Sequence, residues 1–135
     1  MGKQDIFISL PPTSPLRSTE DITACVNLYQ NSKVDGVITY TNASRNPYFN
    51  MISFDSHNYA QTVIPKTNLI SRRQDAPEVY DLTTVAYVMN PEFVLSAKNI
   101  FEGKLKGVFV PKERAIDIDD KLDFQFAEFL MRKDD

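Results

Sequence analysis

The order of its apolar runs constrains this chain most. Residues 5–10 form a nearly continuous apolar run, followed by a loop stiffened by Pro11, Pro12 and Pro15. Ile22, Cys25, Val26 and Tyr29 then fall at i, i+3, i+4 and i+7, one stripe of a helix. Residues 37–41 are apolar and β-branched again, as a strand requires. Strand, helix and strand in that order predict an α/β domain. The first strand reads as buried on both faces of a mainly parallel sheet. The proline loop stands at that strand's carboxyl end, where open α/β sheets bind ligands.

The remaining segments extend the pattern. Ser18 and Asp21 form a variant capping box, so the helix starts at Ser18 or Thr19 and stops near Asn31-Ser32. Cys25, on the helix's apolar stripe, reads as core packing. Turn residues at Asn46-Pro47 lead into a strand, and residues 55–58 form a hairpin loop before a strand over 59–64. Residues 65–77 are a long polar loop, a class that tends to be functional or disordered. A strand over 85–89 follows, then a short helix opened by Asn90-Pro91-Glu92 and a strand over 107–110. The last helix spans about residues 120–131, with Leu122, Phe126, Phe129 and Leu130 as its buried face.

Composition excludes several classes of function. The chain has 135 residues, 42% hydrophobic and 11% aromatic, suited to a single globular domain spanning residues 1–135. A net charge of −3 exerts no general pull on nucleic acid or anionic membrane. One cysteine and one histidine, Cys25 and His57, preclude an internal disulfide, a thiolate cluster and a two-histidine metal site. No apolar run reaches the length of a membrane span, and the N-terminus is not a secretory signal, so a cytoplasmic setting is expected. The four glycines include no pair spaced to cradle phosphate.

Three motifs follow one another along the chain. Pro12-Thr13-Ser14-Pro15-Leu16-Arg17 comes after an apolar strand, Arg72-Arg73-Gln74-Asp75-Ala76-Pro77-Glu78 before another, and Asp117-Ile118-Asp119 before Leu122-Asp123-Phe124. Together they resemble the cytidylyltransferase family of CMP-sugar synthetases, which includes the acylneuraminate cytidylyltransferases. The resemblance runs from Ile6 to Leu130 and implies a Rossmann-like, nucleotide-diphospho-sugar-transferase-like fold, here an incomplete sheet. Residues 46–84 would supply a hairpin and loop that form a dimer arm. Members begin with a nucleotide-binding loop rich in Gly, Arg, Ser and Lys. This chain starts just before the proline motif, so it is expected to be the C-terminal part of such an enzyme.

The resemblance implies transfer of CMP from CTP to a 2-keto sugar acid, with Mg²⁺ and release of pyrophosphate, usually in a homodimer. It implies that Asp117 and Asp119 hold the metal. In an extended segment residues i and i+2 share a face, so both carboxylates could meet one ion, although spacing alone favours a solvated acidic turn. It implies that Arg73 pairs with the sugar acid's carboxylate, because a guanidinium fork binds carboxylate in bidentate fashion. It places Tyr87 in the sugar pocket, where a core aromatic is the equal alternative. Ser14 and Arg17 would lie near the nucleotide and sugar, or else bond their own turn. Two positions depart from the family pattern: Pro11 replaces a Gln, and Thr83-Thr84 replaces Asn-Gly. Both lie on the sugar side, which leaves related acids open beside N-acetylneuraminate. A non-catalytic dimerisation or binding module lacking the nucleotide loop is the alternative function.

Overall fold

The computed structural model describes residues 5–65 and 75–133. Its elements run β1 (Phe7–Ser9), α1 (Thr19–Gln30), β2 (Gly36–Asn42), β3 (Ile52–Phe54), β4 (Ala60–Thr62), β5 (Tyr80–Met89), α2 (Pro91–Ser96), β6 (Leu105–Phe109) and α3 (Lys121–Lys133). Single 3₁₀ turns lie at Ile100–Glu102 and Lys112–Arg114. The chain divides into two compact units, Met1–Thr41 with Leu82–Asp135, and Asn42–Asp81.

The larger unit is built on a four-stranded sheet in the order β1-β5-β2-β6. β2 and β6 are parallel, with Gly36 opposite Leu105 and Tyr40 opposite Phe109. β1 is antiparallel to β5, with Phe7 opposite Met89 and Ser9 opposite Tyr87. The sheet is therefore mixed, and the expectation of a mainly parallel one is corrected. Among the described residues β1 is also an edge strand with one neighbour, and Phe7 and Ile8 are 42% and 40% exposed. An apolar run specifies a strand but does not say whether a second neighbour will cover it.

α1 starts where the capping box requires. The Asp21 N–H donates to Ser18 Oγ at 3.2 Å, and the Ser18 N–H donates to Asp21 Oδ2 at 2.9 Å. Cys25 from this helix joins Val37, Val85, Ala86, Val88 and Val110 in a fully buried core. Burial, and then the charge of Asp21, push the Cys25 thiol up to about 11, which keeps it an inert packing group. Gly36 is required by close approach: a Cβ there would lie 2.9 Å from Met89 Cγ and 3.2 Å from the Val88 carbonyl.

α3 corrects a second expectation. Leu122, Phe126 and Phe129 are 72%, 50% and 62% exposed, and Ala127 is the helix's buried residue. Phe124, Ala127, Glu128 and Met131 line an open cavity of about 410 Å³ with Pro15 and Ile118, and of these only Ala127 is buried. Two apolar stripes overlap on this helix, and alanine allows the closer approach. Asp120 supplies the start, its Oδ1 accepting from the Asp123 N–H at 2.8 Å.

The smaller unit contains the β3–β4 hairpin, paired from Ile52 opposite Thr62 to Phe54 opposite Ala60. The Asn58 N–H reaches the Asp55 carbonyl at 3.0 Å, and Asn58 has a φ of 65°. That left-handed residue closes the loop, a position asparagine tolerates. Among the described residues no helix is long and apolar enough to cross a membrane.

Candidate active site

The proline loop, the middle of β5 and the segment before α3 meet in the larger unit. The loop is fastened to the other two. Arg17 Nε donates to the Val85 carbonyl at 2.7 Å, while Nη2 reaches the carbonyls of Pro11 and Thr84. Ser14 is fully buried, with its Oγ 2.6 Å from Thr84 Oγ1. The Ile118 N–H donates to the Thr13 carbonyl at 2.8 Å. Thr84 Oγ1 donates to Asp117 Oδ1 at 3.1 Å.

Two expected site residues lie among these contacts. Ser14 is buried and faces Thr84. Three N–H bonds of Arg17 are spent on main-chain carbonyls, so it holds the loop's shape. The physical reason is common to both. A proline-stiffened loop leaves carbonyls and hydroxyls that must be satisfied once buried, and the nearest donors satisfy them.

Asp117 and Asp119 are brought together, as spacing i and i+2 allows. The charge of Asp117, first, and then desolvation and Asp123 push the Asp119 carboxyl above its ordinary range. Two neighbouring carboxylates are a hard-oxygen pair suited to a divalent cation. Among the described residues no group of three such side chains converges. Mg²⁺ is usually held by one or two carboxylates together with water and phosphate oxygens. The donor set thus fits Mg²⁺.

Tyr87 lies within reach of the charge of Asp117 and borders a cavity. Burial, then the charge of Asp117, push its phenol up. The cavity holds about 270 Å³ and is bounded by Phe7, Ser9, Tyr87, Phe93, Lys98 and Asn99 among others. Apolar walls with a few polar groups suit a small polar ligand with an apolar substituent. Arg73 lies outside the described residues.

Sequence reasoning missed two functional contacts. Thr84 stood out only as a departure from the family pattern, yet it joins Ser14 to Asp117. Its partners lie 70 and 33 positions away, beyond any local spacing rule. Arg114 also escaped notice. Its Nε and Nη2 grip the Asp21 carboxylate at 3.1 and 3.0 Å, from a turn 93 positions along the chain.

Comparison with known proteins supplies the remaining evidence. No protein-family model matches the chain. It is 35% identical over 130 residues to post-translational flagellin modification protein B of Campylobacter coli, covering 96% of this chain and 54% of that protein. It is 38% identical over 96 residues to the CMP-N,N'-diacetyllegionaminic acid synthase of Campylobacter jejuni, covering 70% of this chain and 39% of the relative. It is 26% identical over 118 residues to an N-acylneuraminate cytidylyltransferase of Streptococcus agalactiae, covering 87% of this chain and 28% of that one. The chain thus spans about half, or less, of the length of these curated relatives. Its fold resembles the crystal structure of 4-diphosphocytidyl-2C-methyl-D-erythritol synthase from Anaerococcus prevotii, with a TM-score of 0.62 at 17% identity. That likeness covers 98% of this chain and 61% of the solved one.

Proposed function

The chain belongs to the cytidylyltransferase family, and from that premise we propose that it serves transfer of CMP from CTP to a 2-keto sugar acid, with release of pyrophosphate. The observation that carries the reading is the carboxylate pair, Asp117 and Asp119, in which Asp117 is held by Thr84 and its charge reaches Tyr87. In this proposal Asp117 and Asp119 hold Mg²⁺, which when bound neutralises developing charge on the phosphates. Tyr87 lines the sugar side, and its phenol stays protonated as a hydrogen-bond donor at neutral pH. Arg73 supplies the fork for the acid's carboxylate. The working form is a cytoplasmic homodimer in which residues 46–84 reach the partner.

A second reading, a dimerisation or binding module, is favoured by one observation. The four glycines contain no pair spaced to cradle a triphosphate. The test is pyrophosphate release from CTP, Mg²⁺ and a panel of 2-keto sugar acids that includes N-acetylneuraminate and N,N'-diacetyllegionaminate. Turnover by the chain that disappears in Asp117→Ala is the expected result. No release with any acid overturns the enzymatic reading for this chain and leaves the binding module.

A further inference from the structure

We propose that Thr84 is a positioning residue for Asp117, and that Ser14 acts behind it as the buried end of a one-way hydrogen-bond chain. The inference deepens the cation-binding role of Asp117 proposed above and rests on it. The direction of the chain follows from proton counting. An ionised carboxylate only accepts, and a threonine hydroxyl has one proton. Thr84 therefore spends its proton on Asp117 Oδ1 at 3.1 Å. Thr84 Oγ1 can then only accept from Ser14 Oγ, 2.6 Å away, so Ser14 donates.

Every other part of the assembly holds this geometry. The Thr84 carbonyl is gripped by Arg17 Nη2 at 3.3 Å, and the next carbonyl, Val85, by Arg17 Nε at 2.7 Å. The Ile118 N–H is tied to the Thr13 carbonyl at 2.8 Å, which fixes the main chain next to Asp117. Ser14 is fully buried, so no water competes for its proton. The bond from Thr84 engages one oxygen of Asp117, Oδ1, and so restrains the carboxylate. Hydrogen bonds of this kind orient metal ligands, and their loss commonly lowers metal affinity by about 10- to 100-fold.

The test is Mn²⁺ binding to the whole chain by isothermal titration calorimetry, which needs no turnover. Thr84→Val removes the hydroxyl with little change of shape and is expected to weaken Mn²⁺ at least about tenfold. Thr84→Ser should bind within about twofold of the parent, since the relay survives. Thr84→Val also strands the buried Ser14 hydroxyl, which alone could loosen the fold. The double variant Ser14→Ala with Thr84→Val removes both partners and is expected to recover thermal stability but not Mn²⁺ affinity. Parent-like affinity in the folded double variant overturns the proposal. Asp117→Asn separates the two levels. If it loses binding while Thr84→Val does not, positioning by Thr84 is wrong and the cation role stands. If the parent binds Mn²⁺ no better than Asp117→Asn, the cation role itself fails, and the positioning proposal with it.

Discussion

Three threonines within the larger sheet show how one side chain takes different tasks. Thr39 is fully buried and bonded, its Oγ1 lying 2.5 Å from Thr83 Oγ1. Thr41, two residues on along β2, is 8% exposed, and its hydroxyl has no hydrogen-bond partner among the described residues. Thr84 connects the interior to the carboxylates. An unmet buried hydroxyl costs about 1–3 kcal/mol, whereas a satisfied one contributes about 1 kcal/mol. Thr41→Val should therefore raise stability by about 1 kcal/mol. Thr39→Val should lower it by at least as much, because the buried Thr83 hydroxyl then keeps only the Val85 N–H as a partner. Urea unfolding of the two variants beside the parent checks both signs. Equal or reversed effects would sink the distinction.

At the scale of elements, the ion pair between α1 and the 3₁₀ turn Lys112–Arg114 anchors the segment that leads to the carboxylates. Asp21 is 4% exposed, serves in the capping box, and accepts two bonds from Arg114, itself 37% exposed. Burial alone would raise its carboxyl, but Arg114 and the Ser18 N–H outweigh burial and hold it below its ordinary range. A depressed carboxyl stabilises the fold above its unfolded value of 3.8 and loses that contribution as pH falls through the folded value. Arg114→Ala should cost about 1–3 kcal/mol at neutral pH, the lower end reflecting Arg114's exposure. The deficit relative to the parent should narrow as pH falls below 3.8. Chemical denaturation of both proteins across that range measures it, and a deficit that does not vary with pH would rule out the ion pair as its source.

At the scale of the whole molecule, apolar surface is the dominant feature. Ile52, Phe54 and Tyr59 of the hairpin are 57%, 64% and 72% exposed, and Leu122 and Phe129 of α3 are 72% and 62% exposed. Clusters of this size on a 15.4 kDa chain commonly mark association surfaces. The proposed dimer arm makes a definite prediction. Light scattering behind size exclusion should give a mass near twice that of the chain, and Phe54→Ser with Tyr59→Ser should shift it to monomer. A parent that is monomeric at every concentration would remove the arm from the proposal. An assembly that the double substitution leaves intact would move the contact elsewhere, with α3 the next surface to alter.

The sequence by itself determined the order and kind of most elements in this chain. Capping residues, prolines and the spacing of apolar side chains act over a few positions, so Ser18 started α1 and Asn90-Pro91 opened α2 as read. The nearness of Asp117 and Asp119 was legible for the same reason, since two carboxylates two residues apart cannot be far from one another. Tertiary structure decided which neighbours each element acquired. Among the described residues it left β1 with one partner strand, and on α3 it buried Ala127 while Leu122, Phe126 and Phe129 stayed exposed. It also gave Ser14 and Arg17 to the loop, and set Thr84 between Ser14 and Asp117. Those outcomes depend on contacts between residues 33 to 93 positions apart. Local periodicity and capping carry no information about such pairs, because packing and the need to satisfy buried polar groups fix them only when the chain has closed on itself.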